Sequence, residues 1–169
     1  CCWGTWQVLI LRYMEQNLLT EEYINWGGND TVGVPPGAPT IRYGAAPNTT
    51  NVTTKRLPAF TCPSDRNNAP IAGITNHNYA VNFGNTHYGQ GNLTIAGVTV
   101  TFRGAPFGQA KFTAEPFKGR TMADIIDGTS NTMMVGEVLQ GQGSDLRGFT
   151  WWGDACEFTT YLPPNSRLP

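Results

Sequence analysis

The chain has 169 residues, one domain's worth, and 40% of them are hydrophobic, so a packed core is expected rather than wholesale disorder. Only 14% are charged, against roughly 25% in an average soluble domain. The net charge of −1, with basic residues scattered, excludes the electrostatic footprint of a nucleic-acid or anionic-membrane binder.

Trp3, Trp6, Ile10, Tyr13 and Met14 recur at intervals of three and four, and Val8, Leu9 and Leu11 widen that apolar face. The spacing predicts a helix from about Gly4 to Leu19, buried on most sides. Thr20-Glu21-Glu22 reads as the N-cap and acidic first turn of a short second helix that Gly27-Gly28 ends. Between Asn29 and Pro58 periodicity vanishes under Pro35-Pro36-Gly37, Pro39, Pro47 and the polar tract Asn48 to Thr54, so a long irregular insert is expected there. Short strands follow. Tyr79 to Phe83 alternates, and Leu93 to Phe102 alternates around an interruption at Gly97. Phe112 to Phe117 is a weaker strand. Thr132 to Leu139 reads as a buried strand after the turn at Asp127-Gly128, and Phe149 to Trp152 reads as the last strand. A helix first and antiparallel strands afterwards argue for α+β with one core, and no internal repeat or domain boundary is visible.

Cys1, Cys2, Cys62 and Cys156 stand in no CxxC spacing, so zinc, redox and c-type haem sites lack their local geometry. In an oxidising compartment Cys62 and Cys156 are the candidate disulfide. No apolar run approaches the roughly 18 residues of a membrane span. The opening on Cys1-Cys2-Trp3, with no Met, suggests a piece of a longer protein.

The oxygen-rich block Asp127-Gly128-Thr129-Ser130-Asn131 invites a calcium reading through Asp127, Ser130 and Asn131, with Asp124, Glu137, Asp145 and Asp154 as further donors. EF-hand spacing is absent. The competing reading is a tight turn with Gly128 at positive φ and the polar side chains bonding local backbone. Glu137 lies inside an apolar stretch and, if buried, needs a partner. His77 and His87 flank a strand without a clear third ligand, so no metal site is assigned. No Gly-x-Ser-x-Gly elbow occurs, and no catalytic residue is named. Trp151 and Trp152 are adjacent, so on a strand one faces the core and the other is exposed. With Tyr43 they form the candidate binding or interface set. Asn29, Asn48, Asn51 and Asn92 stand in Asn-x-Ser/Thr sequons, read here as products of composition.

Four segments together resemble one family. They are Trp6 to Gln16, Phe60-Thr-Cys-Pro-Ser-Asp65, Asn78-Tyr-Ala-Val-Asn82 and Asp124-Ile-Ile-Asp-Gly-Thr-Ser-Asn-Thr-Met-Met-Val-Gly-Glu137. In this order they resemble the domain of unknown function 1559 family of large, secreted, prepilin-like bacterial proteins. That resemblance implies similarity to type II secretion pseudopilins and type IV pilins, with a cleaved leader and a long hydrophobic N-terminal helix that this sequence lacks. It supplies no catalytic residues.

The expected protein is therefore a single pilin-like α+β domain over 1–169, incomplete at both ends. Its N-terminal helix packs on an antiparallel β-sheet with long irregular loops. The expected function is an extracellular, non-enzymatic structural or adhesive subunit of a pilin-like cell-surface assembly. The alternative is a secreted carbohydrate- or peptide-binding module. Expected partners are further copies of the chain in a homopolymer or surface array, and polysaccharide. No cofactor is expected, and no nucleic acid. Membrane contact would come only through a missing N-terminal helix.

Overall fold

A computed structural model describes residues 2–28, 41–108, 120–126 and 128–162. Cys1, Asp127, the first part of the expected insert (29–40) and the expected strand at Phe112 to Phe117 lie outside the described residues. The chain divides into two compact units, Cys1–Tyr79 with Glu137–Cys156 and Ala80–Gly136 with Glu157–Pro169.

In the first unit the N-terminal apolar periodicity does form a helix, α1 (Trp6–Ile10), but a short one. Thr5 caps it, Oγ1 accepting from the Gln7 N–H at 3.3 Å. A tighter turn over Leu11–Met14 follows and stops at Glu15, which takes the left-handed conformation (φ 58°). That reversal lets the Gln16 N–H return to Leu11 O at 3.0 Å, so the continuous helix expected to Leu19 is broken. A second helix, α2, spans Asn17–Glu22. Thr20 is therefore not an N-cap: it sits inside α2, its hydroxyl donating to Gln16 O at 3.2 Å. Leu9, Tyr13 and Leu18 are exposed, which corrects the expectation of a helix buried on most sides.

Val8 and Leu11 enter a core completed by Tyr23, Val52, Leu57, Phe60, Ile74, Phe149 and Trp151. Most of these residues come from turns and loops rather than strands. The expected strand at Phe149 to Trp152 is a succession of turns, held by the Phe149 N–H to Leu146 O (2.9 Å) and the Trp152 N–H to Phe149 O (3.2 Å). The described half of the expected insert is also not a free contact loop. Asn48, Val52 and Thr53 are buried in and beside a helical turn over Thr49–Thr53. The Asn48 amide holds that turn to the chain after α2, accepting from Ile24 N–H at 2.9 Å and donating to Ile24 O at 3.0 Å. A buried Asn satisfied on both sides of its amide explains why a tract of Asn and Thr can sit inside a core.

Most strand residues belong to the second unit. The order β4 (Val135–Glu137), β1 (Tyr79–Asn82), β5 (Glu157–Phe158) makes a three-stranded sheet. The antiparallel run of β4 along β1 is set by the Asn82 N–H donating to Met134 O (2.9 Å) and the Val138 N–H donating to Asn78 O (2.7 Å). β5 joins β1 in parallel, with Val81 opposite Glu157 and Asn82 opposite Phe158. The alternating stretch from Leu93 is a hairpin rather than one strand: β2 (Leu93–Ile95) pairs antiparallel with β3 (Val98–Val100). Ala96 (φ 50°) and Gly97 (φ 79°) make its two-residue turn, the positive-φ pair that suits strand twist. The fold is α+β.

The expected buried strand from Thr132 to Leu139 shrinks to β4, and its side chains are exposed, Glu137 included. Glu137 thus needs no buried partner. No helix among the described residues is long and apolar enough to cross a membrane.

Candidate functional site

The polar side chains of the first unit converge on one frame. The Asp65 carboxylate accepts through Oδ2 from the Gln140 N–H (2.7 Å) and the Asn78 amide (2.5 Å), and through Oδ1 from the Arg66 N–H (2.7 Å). The Gln140 backbone bond, followed by those of Asn78 and Arg66, favours the ionised form and holds Asp65 below the usual carboxylate range against a smaller opposing cost of burial. Gln140 then spends its own amide: Nε2 donates to Asn78 Oδ1 (2.8 Å), and Oε1 accepts from the Asn68 N–H (2.9 Å). Asn78 Oδ1 also receives the Cys62 N–H at 2.9 Å. Arg56 closes the frame, donating to Asn76 O (2.9 Å), Asn68 O (3.0 Å) and Gln140 Oε1 (3.5 Å). Burial lowers its pKa, but the guanidinium stays charged because its ordinary value is so high.

Beside this frame lies His77, fully buried. Its Nε2 accepts from the Leu57 N–H at 3.2 Å, which places the proton of the neutral ring on Nδ1. Nδ1–H then donates to the Thr150 hydroxyl (3.4 Å), which donates in turn to Gln7 Oε1, while the Gln7 amide nitrogen, itself a donor, lies 3.1 Å from Nδ1. Phe60 and Trp151 stand edge-on to the ring at 6.1 and 5.8 Å. Burial, with Arg56 as a second cause, depresses the His77 pKa to about 3. A histidine so placed is a poor base and has no lone pair open to a metal. His87 is half-buried in the second unit, its Nδ1 accepting from the Gly89 N–H at 3.1 Å.

Chemically, this frame ties distant loops together. Each partner named for Arg56 is a carbonyl oxygen of the chain, and the Asp65 carboxylate is occupied by donors of its own fold. Among the described residues no three of His, Cys, Asp and Glu come together in a way that could hold a metal ion.

The candidate aromatic set is not brought together on a surface. Trp151 is fully buried, stacked on Tyr23 at 6.5 Å, which removes it as a binding residue. It sits in a turn, where strand alternation does not apply. Trp152 is half-buried and packs against the same core. Tyr43 is half-buried, its ring edge-on to Phe149 at 5.7 Å and its carbonyl accepting from the Thr53 hydroxyl at 3.0 Å. Ser130 and Asn131 are exposed in a short turn over Thr129–Asn131. Gly128 (φ 85°) precedes that turn, and its carbonyl accepts from the Asn131 N–H (3.1 Å) and the Thr132 hydroxyl (3.1 Å). Asp124 bonds back to Thr121, Oδ2 accepting from the Thr121 N–H at 2.7 Å and its hydroxyl at 2.9 Å.

The expected Cys62–Cys156 bridge is not formed. Cys156 is buried, its Sγ–H directed at Gly153 O (3.3 Å), and Cys62 is half-buried with its backbone fixed by Asn78. Each cysteine is thus held in its own turn.

Surface features that sequence reasoning missed include several in the second unit. Met122 (65% exposed), Ile126 (90%), Met133 (51%) and Val135 (43%) are large apolar residues open to solvent. On the hairpin, Ile95 and Val98 are cross-strand partners and both exposed.

The profile of the family described as "Protein of unknown function (DUF1559)" matches residues 2–164. The chain belongs to this family. No curated protein matches the chain, and no solved structure does. Within the DUF1559 segments, Asp65 and Asn78 belong to the polar frame, and Met133 to Val135 form the exposed apolar stretch that leads into β4.

Proposed function

We propose that this DUF1559 protein is an extracellular structural or adhesive subunit of a pilin-like cell-surface assembly, working by self-association and without catalysis. The observation that carries this reading is the apolar surface of the second unit, where Met122, Ile126, Met133 and Val135 stand exposed. Leaving large aliphatic side chains in water forgoes about 25 cal/mol for each Å² that a partner would cover, so association that covers them is favoured. The low charge of the chain supports the same reading, because repulsion between copies is weak at a net charge of −1. The Asp65–Arg56 frame fits a load-spreading scaffold, since it fastens loops far apart in sequence by hydrogen bonds rather than presenting free groups.

The test has two arms. Immunogold labelling of intact source cells is expected to decorate the cell surface. Sedimentation velocity of the purified chain is expected to show concentration-dependent association. Labelling confined to the cell interior, or a monomer at every concentration, would overturn the proposal.

A further inference from the structure

The outer edge of β4 is a candidate interaction surface among the described residues. Among the described residues β4 is the terminal strand of its sheet, with β1 on one side. The bonds Asn82 N–H to Met134 O and Val138 N–H to Asn78 O fix which backbone groups face inward. In an antiparallel ladder these groups alternate, so Met134, Gly136 and Val138 point to β1 while Val135 and Glu137 point away from it. The edge therefore presents the N–H and C=O of Val135 and of Glu137 as a ready template for another strand. The side chains that flank the open groups are those of Val135 and Glu137, both exposed. Of the devices that usually blunt an edge, β4 has its short length and this one charge, and it has no proline.

Resting on the self-association reading, we infer that this edge pairs with the β4 edge of a second copy, antiparallel and about a two-fold axis through Gly136. Self-complementarity selects a second copy as the occupant. Setting Gly136 opposite its equivalent places Val135 opposite Glu137 of the other chain, and the reverse. Both open residues of each strand then enter reciprocal backbone bonds, and neither glutamate faces the other. Register 137 on 137 would oppose like charges. Gly136 suits the axis because non-hydrogen-bonded pairs approach most closely and it brings no side chain there. One face beside it is already taken: a Cβ on Gly136 would meet the Phe158 ring at 3.2 Å. The symmetry is isologous, so it closes as a dimer and leaves the hairpin and the Met122–Ile126 region free for other contacts.

The register is tested by cysteine pairing in the full chain. The Val135→Cys and Glu137→Cys variants, mixed and oxidised, are expected to give a disulfide-linked dimer that neither variant alone nor the parent gives in comparable yield. The Val135→Pro variant removes only an outward N–H, so it is expected to keep the parent circular dichroism while weakening dimerisation at least about tenfold, the equivalent of one to two net hydrogen bonds. A parent chain that is monomeric overturns both this interface and the self-association reading. A parent that associates, with no enhanced link in the mixed pair or with Val135→Pro associating as strongly as the parent, overturns the β4 interface alone. Should Val135→Pro fail to fold, the mixed cysteine pair decides by itself.

Discussion

Lowering the pH from 7.5 to 5 should cost this protein about 2 kcal/mol of stability through His77 alone. In the folded chain the ring is buried, accepts the Leu57 N–H at Nε2 and has its pKa depressed to about 3. In the unfolded chain it titrates near 6.5. Between those values the unfolded state binds a proton that the folded state refuses, so stability is complete above the unfolded pKa and falls as pH drops through 6.5 toward 3. At pH 5 the unfolded histidine is almost fully charged, and the linkage integral from pH 7.5 gives about 2 kcal/mol, with a limiting slope of about 1.4 kcal/mol per pH unit. The assay is urea denaturation at half-unit pH steps, run beside a His77→Gln variant that retains hydrogen-bonding capacity but cannot titrate. The variant is expected to be less stable at pH 7.5 and to lose the His77 share of the slope between pH 6.5 and 5. Equal slopes in the two proteins, or an NMR titration showing the folded His77 ring protonating above pH 5, would refute the reasoning.

Three further outcomes follow from the same structure. Asp65→Ala strips the acceptor from the buried Gln140 N–H and one acceptor from Asn78, and should cost about 2–4 kcal/mol in urea denaturation, with Asp65→Asn retaining part of that. Gly148→Ala should destabilise by at least about 2 kcal/mol, because Gly148 has φ 80° and an added Cβ would lie 2.1 Å from His77 O; near-parental stability would contradict the turn described. The melting temperature should be the same in calcium and in chelator, since the Gly128 turn is closed by its own backbone and Thr132, and a calcium-dependent rise would place a cation there.

The parts of the fold that were legible in sequence are those governed by local rules. β1 was visible because Tyr79 to Phe83 alternates, and the α+β class followed from a helical period giving way to strands. The helix was overextended because nothing in the apolar period announces that Glu15 will turn left-handed; that conformation is stabilised by the Gln16 return bond to Leu11. The hairpin turn is silent in the sequence because Ala96 occupies a positive-φ position where Asn, Asp or Gly is the usual signal. Strand alternation does not govern Trp151 and Trp152, because both lie in turns. The Asp65–Gln140–Asn68–Arg56 frame joins residues more than 70 positions apart, and hydrogen bonding at that distance leaves no periodic trace. The exposed methionines are hidden for the opposite reason: an apolar run reads as core whichever way it faces, and Met133 and Met134, just before β4, face solvent.

The most direct measurement of the central claim is cryo-electron microscopy of the protein as isolated from its source. The account predicts ordered filaments or arrays built from repeated copies of this chain, with the second unit at the contacts between them. Dispersed, unassociated particles under all isolation conditions would contradict it.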